Sequence, residues 1–293
     1  MTGRETAELI DVGIDEARRD AAQKCRRQWF SSPSGRLHIV FSVVGSALLL
    51  CGTAVAMITV AVLTLFRKRR LYTEGMSRWL AKRILGLNGV KMVVHQERAI
   101  SQGQTIYVAN HTSTLDMFIL LALGLPNTRY FLRGKYRRII PLGIITYLMG
   151  TFFTPSQSQP AARVRCFQNA ERVLRRTRDS VYLSPEGKRI TDGKIGHFNK
   201  GTFHLATNLR VPIVPLFIDI PPEVNPGTGY GVMPGIVHVY VLPEIRTDDW
   251  RIEDLLKNKE RVRDLYVCFQ NELRTVAFSA SHPQSGVAGN QGN

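Results

Sequence analysis

Residues 39–66 form an unbroken run of 28 residues without a charge, IVFSVVGSALLLCGTAVAMITVAVLTLF. A run this long, and apolar on every side, meets lipid rather than a protein core. As one straight helix it would measure about 42 Å, against a hydrocarbon core of about 30 Å. A break near Gly52 and Thr53 would instead give two short arms entering and leaving one leaflet. Lys24, Arg26, Arg27 and Arg36 precede the run, and Arg67, Lys68, Arg69 and Arg70 close it. The hairpin sets both basic flanks on one anionic face, where each cation contributes roughly 1 kcal/mol. It is therefore favoured over a single span. The 38 preceding residues and the basic block that follows exclude a typical signal peptide.

The charge balance narrows the partners. The 293 residues hold 39 Lys or Arg against 23 Asp or Glu, a formal net charge of +16. The surplus is local, because residues 67–200 alone carry 24 basic against 7 acidic side chains. An excess so concentrated points to an anionic partner. Nucleic acid is excluded by the apolar segment and by the lack of a recognisable binding motif. The four cysteines have no CxxC spacing, which excludes a zinc ribbon and argues against a disulfide scaffold. No G-x-x-x-x-G-K-[ST] signature occurs.

The chain divides into a polar leader (1–36), a membrane anchor with its basic flank (37–70), a globular domain (71–278) and a disordered tail (279–293) rich in Gly, Ser, Gln and Asn. Residues 74–85 pattern as an interfacial helix. Strands are expected at 91–95, 105–109, 129–132, 151–154, 180–184, 211–218 and 236–241. Helices are expected at 114–123, 139–149, 161–178, 202–209 and 251–276. The alternation predicts an α/β fold, a mixed sheet covered by helices, with the membrane-anchoring helical segment ahead of it.

Three short motifs stand out. Asn110-His111-Thr112-Ser113-Thr114-Leu115-Asp116 follows one apolar strand and opens a helix. Five residues sweep about 500° of helix, so His111 and Asp116 meet only if the histidine lies outside the helix. The carboxylate would then accept from imidazole Nδ1–H and leave Nε2 as a base. Such a pair, without a protein nucleophile, suits attack by a substrate hydroxyl. The competing reading is a capping box, Ser113-x-x-Asp116. Ser184-Pro185-Glu186-Gly187-Lys188-Arg189 ends a second strand: Gly187 permits a tight turn, Glu186 could orient a headgroup, and Lys188 and Arg189 could grip a phosphate. Val211-Pro212-Ile213-Val214-Pro215-Leu216 carries two prolines, which predict an edge or interrupted strand.

In this order and spacing, NHTSTLD at 110–116, SPEGKR at 184–189 and VPIVPL at 211–216 resemble the glycerolipid acyltransferase family over roughly residues 75–245. The resemblance implies that His111 takes a proton from a lysolipid hydroxyl and that Asp116 orients it. It implies that Glu186, Gly187 and Arg189 bind the acceptor headgroup, with Asn110 and Lys188 beside them, and that Pro215 supports the substrate pocket. The donor would be the thioester of coenzyme A or acyl carrier protein, with no metal or bound cofactor. The acceptor would be a lysophospholipid, most simply 1-acyl-sn-glycerol-3-phosphate. The enzyme would be membrane-bound, its domain on the cytoplasmic face (the inner membrane, if bacterial). Two departures keep other readings open: Lys188 stands where the family has Thr, and Ser156 where its second motif ends in Arg. They leave a lyso-ornithine lipid or another lysophospholipid as acceptor, or a non-enzymatic lipid-binding protein. The basic group Arg133 to Arg138 suits coenzyme A phosphates, an acidic carrier protein or lipid headgroups alike.

Overall fold

The computed structural model describes residues 19–97, 100, 103–227 and 231–281. Seven strands form one sheet: β1 (Val90–Gln96), β2 (Ile106–Ala109), β3 (Thr128–Arg133), β4 (Phe152–Thr154), β5 (Ser180–Leu183), β6 (Ile213–Asp219) and β7 (Gly235–Val241). Their order is β1-β7-β6-β2-β5-β3-β4. Every neighbouring pair is parallel except β6 and β7. Each expected strand is present to within two residues at either end.

Helices cover both faces. On one side lie α2 (Pro33–Leu63), α3 (Arg78–Leu87), α4 (Leu115–Leu123) and α5 (Leu142–Leu148). On the other lie α6 (Pro160–Thr177), α7 (Gly201–Leu209) and α8 (Leu255–Ser281). The period-2 alternation of strands divides the core accordingly. Tyr107, Ala109, Tyr182, Val214 and Leu216 face the first layer. Ile106, Val108, Val181, Leu183, Ile213 and Phe217 face the second. β2 and β5 are apolar throughout because both their faces are covered.

The two-proline strand is not at an edge. β6 lies between β7 and β2, with Pro215 in register with Val108. Within a strand, a residue's N–H and C=O point to the same side. The Pro215 carbonyl accepts from Leu242 N, just past the end of β7. The missing N–H thus falls on the β7 side, between the ladder that starts at Leu216 and the bridge of Ile213 with Ile245. At most one bond to the β7 side is forgone there, opposite Leu242, and the pairing with β2 is untouched, so the strand is interrupted on one side only and a proline fits inside the sheet.

The anchor also departs from expectation. α2 runs unbroken through Gly52 and Thr53, so there is no hairpin at that point. A glycine costs a helix only about 1 kcal/mol, and here both flanks are long apolar runs. α2 begins earlier than the expected anchor, at Pro33, with Ser32 as its N-cap. Residues 19–31 of the expected leader are helical too (α1). The remainder of the leader, 1–18, and the tail beyond Ser281 lie outside the described residues.

α2 lies antiparallel along a helical segment that begins with a wide turn, Leu71–Ser77, and continues as α3. At one end Ser42 Oγ donates to the Leu87 carbonyl, and at the other Thr64 Oγ1 lies 3.2 Å from Tyr72 Oη. Small and flexible residues face the domain: Ser42, Thr53, Ala54, Met57 and Ala61 are buried. Leu37, Val40, Phe41, Val44, Leu48, Val55, Ile58 and Val62 are exposed on the outside.

The basic block after α2 is not all surface. Arg69 Nη2 donates to Asp179 at 2.5 Å and to Asn127 at 2.7 Å. Arg129 Nε holds the other oxygen of Asp179 at 2.6 Å. This cluster joins the end of the anchor to the starts of β3 and β5. Removing one partner from a buried ion network leaves uncompensated charge and costs about 3–5 kcal/mol. Asp179→Ala should therefore lower the unfolding temperature by many degrees, and Asp179→Asn by less. Thermal unfolding in detergent measures both, and an unchanged midpoint for Asp179→Ala contradicts this role.

Candidate active site

β2 and β5 are parallel neighbours, so the loops after them share one end of the sheet, where such folds place their sites. The first loop is 110–114, ahead of α4. Asn110 begins it and is buried: its amide donates to the Ile218 carbonyl at 2.9 Å, and its oxygen accepts from Ile218 N at 2.8 Å. The side chain thus mimics a strand and extends the pairing to β6. It does not reach an open surface, as a substrate ligand would.

Past Asn110 the chain turns back on itself. Asp116 Oδ2 lies 2.7 Å from His111 Nδ1, and accepts Thr112 N at 2.8 Å and Ser113 N at 3.0 Å. The carboxylate is 2% exposed, while 32% of the imidazole remains accessible. An ionised carboxylate only accepts, so Nδ1 is the donor in this pair, and in the neutral imidazole Nε2 is then the lone pair. Contacts expected of both arrangements, a paired imidazole and a carboxylate at the helix start, are present at once. The oxygen that binds the imidazole also receives Ser113 N–H in the manner of a cap, while Ser113 Oγ accepts from Leu115 N.

The second loop follows β5. Glu186 is 3% exposed. Its Oε2 accepts His111 N–H at 2.6 Å and its Oε1 accepts Gly196 N–H at 2.8 Å. Its carboxylate therefore faces backbone. Burial pushes its pKa up to about 7, opposed by those two N–H groups and by the charge of His111, and reinforced by Asp116. Gly187 has φ +65°, and a Cβ there would sit 2.9 Å from the Asn199 amide nitrogen. That amide holds the carbonyls of Pro185 and Glu186, each at 2.9 Å.

Lys188 and Arg189 are exposed at the rim, and Arg189 Nη1 donates to the Gly227 carbonyl at 3.2 Å. Pro215 does not join them. It is buried beside Val108, three residues before His111 along β2. Ser156 follows the end of β4, and Arg163 Nη1 reaches the Pro155 carbonyl at 3.4 Å. Among the described residues, no group of three His, Cys, Asp or Glu is placed to hold a metal.

Sequence reading missed the loop that closes the site from β6. Asn225, buried, accepts from Ser113 Oγ at 2.9 Å and from Gly227 N at 2.8 Å. Gly227 has φ +80°, and a Cβ there would lie 2.3 Å from the Thr112 carbonyl oxygen. The available signal was Asn225-Pro226-Gly227, a turn sequence placed after a strand.

Residues 91–219 match the family model described as Acyltransferase. Similar proteins include the 1-acyl-sn-glycerol-3-phosphate acyltransferase of Limnanthes alba, 29% identical over 63% of this chain and 65% of that protein. That of Saccharomyces cerevisiae is 30% identical over 68% of this chain and 64% of its own length. The beta form of Homo sapiens is 29% identical over 57% and 60% respectively. The chain thus spans a little under two thirds of these relatives. A crystal structure of a 1-acyl-sn-glycerophosphate acyltransferase from Thermotoga maritima has the same fold. Its TM-score is 0.61 at 21% identity, covering 80% of this chain and 98% of that one.

The raised pKa of Glu186 makes stability pH-dependent. Between pH 4.5 and about 7 the folded protein keeps a proton that the unfolded chain has released. This contribution is fully present below pH 4.5 and is lost as pH rises through 7, a change of about 3 kcal/mol. Glu186→Gln lacks the titration. Unfolding free energies at pH 5 and pH 8 should show the wild type losing ground to the variant at the higher pH. A gap that does not change with pH counts against the assignment.

Proposed function

We propose that the chain is a member of the glycerolipid acyltransferase family, supported by its match over residues 91–219 and by its similarity to 1-acyl-sn-glycerol-3-phosphate acyltransferases, and that it transfers a fatty acyl group from a thioester to the free hydroxyl of a lysolipid. The acceptor is 1-acyl-sn-glycerol-3-phosphate and the product phosphatidate. One observation carries this reading: His111 is oriented through Nδ1 by a buried carboxylate, while its other face stays accessible.

The acceptor hydroxyl gives its proton to His111 Nε2 as its oxygen attacks the thioester carbonyl. Asp116 stabilises the imidazolium that forms. The tetrahedral intermediate collapses, the carbon–sulfur bond breaks, and the departing thiolate takes the proton back from Nε2. Lys188 and Arg189 supply positive charge at the rim for the acceptor phosphate. Glu186 and Gly187 shape the turn that presents them. Asn110 contributes from beneath by fixing the end of β2 to β6 through Ile218, and Pro215 lies buried beside Val108.

The protein works at a membrane surface. α2 has one face on the domain along its length, so its outer face enters the hydrocarbon together with Trp79, Ile139 and Ile140, which are also exposed. The domain lies on the cytoplasmic side, where coenzyme A or acyl carrier protein delivers the acyl group. A second acceptor class is supported by β4, which leads into Pro155-Ser156-Gln157 without a cation. A lysolipid with another headgroup, such as a lyso-ornithine lipid, suits an edge whose own residues carry no charge and whose neighbour Arg163 is turned to the Pro155 carbonyl.

Purified protein in detergent should acylate lysophosphatidate from labelled acyl-coenzyme A or acyl carrier protein. His111→Ala should lose at least about 10²–10⁴-fold in rate, and Asp116→Asn on the order of 10⁴-fold through the wrong tautomer. Transfer only to another lysolipid reassigns the acceptor. Folded protein that acylates no lysolipid, or His111→Ala with full activity, overturns the reading.

A further inference from the structure

α8 lies outside the residues matched by the family model, yet it touches the site's support at two places. Tyr266 is fully buried and its hydroxyl donates to the Val108 carbonyl at 2.7 Å. Val108 belongs to β2, three residues before His111. With Val262, also fully buried, this fixes α8 against the strand that carries the base.

From the same face of α8, Arg263 reaches the 190–199 loop. Its Nε donates to the Gly196 carbonyl at 3.0 Å and its Nη2 to the Ile195 carbonyl at 3.3 Å. Gly196 N–H in turn donates to Glu186 Oε1, and Glu186 Oε2 accepts His111 N–H. The loop is held from its other end as well, because Ile190 N donates to the His111 carbonyl at 2.8 Å. The contacts close a circuit that leaves β2 through Tyr266 and returns to its end through Arg263, Gly196 and Glu186.

We infer that Arg263 is a positioning residue: it sets the Gly196 peptide that aims Glu186 at the backbone of the base. This rests on the acyltransferase reading for its effect on rate, but the circuit exists without substrate. The Gly196 N–H favours ionised Glu186, as does the charge of His111, while burial and the neighbouring Asp116 oppose it. Tyr182 and Tyr266, both buried, also lie within the field of Glu186. Loosening the peptide therefore raises the pH at which Glu186 ionises.

Two readouts test this. In the first, Glu186 is followed by carboxyl-carbon NMR in full-length protein in detergent without substrate. Its titration midpoint should rise in Arg263→Ala and rise less in Arg263→Lys. An unchanged midpoint in both overturns the inference, whatever the protein catalyses. In the second, kcat should fall about 10- to 100-fold in Arg263→Ala with acceptor KM within about twofold, the range expected for a misplaced reacting group. The acidic limb of the kcat profile should move to higher pH. The loss should not add to that of Glu186→Gln, since both break one circuit. Arg274→Ala, whose guanidinium holds the Gly193 carbonyl instead, should add independently. Additive losses for Arg263 and Glu186 contradict the circuit. If Arg263→Ala does not fold, Arg263→Lys carries both measurements, with its unfolding temperature as the control.

Discussion

A single carboxylate oxygen receives the imidazole and two consecutive backbone N–H groups, and the rest of the site is arranged to permit this. Three donors converge on Asp116 Oδ2 only if residues 111–113 wrap around it while α4 holds Asp116 in place. A buried carboxylate loses its water, so its charge must be met by oriented dipoles or by an opposite charge. Here the two N–H dipoles and His111 Nδ1 meet it on one oxygen. The companion oxygen, Oδ1, is buried without a hydrogen-bond partner among the described residues. The polarity of the loop is thereby concentrated on the oxygen facing His111.

The loops that hold this turn come from two strands, one gripping it by a backbone N–H and the other by a side-chain hydroxyl. Glu186 from the β5 loop takes the His111 N–H, and Asn225 from the β6 loop takes the Ser113 hydroxyl. This explains what was legible in the sequence. Period-2 and period-3.6 patterning located the strands and the helices of the domain, because burial on either face of a sheet dictates residue type. The pairing of His111 with Asp116 was legible because it is made by two side chains at a recognisable spacing. The task of Glu186 was not, since a carboxylate that binds peptide N–H looks the same in sequence as one that binds a headgroup. Arg263 was hidden for the same reason: its partners are the carbonyls of Ile195 and Gly196, which any residue could supply.

Two further misreadings share a physical origin. The rule that proline marks a sheet edge concerns a lost N–H, and its edge reading fails at Pro215 because the loss falls on the β7 side, where the ladder is interrupted between Leu216 and Ile213, while the β2 side stays paired. A break was placed at Gly52 because one straight helix overshoots the hydrocarbon core and a hairpin gathers both basic flanks on one face. In a run such as α2, unpaired peptide groups at a bend would cost more than glycine's lost propensity, so the helix continues. Arg69 and Arg70 looked like lipid-facing charge, yet both donate to Asn127, and Arg69 also to Asp179. Charge counted along a chain does not distinguish a surface from an internal clasp.

Just ahead of the anchor, the Arg26 guanidinium donates to the carbonyls of Glu223, Val224 and Gly231. Those residues bracket Asn225, which holds Ser113 in the turn around the base. The chain passes from Arg26 through Ser32 directly into α2. A force that tilts or shifts α2 therefore has a short load path into the turn that carries His111. In mechanical terms this N-terminal portion is a strut of the site, and cutting it away would unbrace the His111 turn as well as remove the long apolar helix.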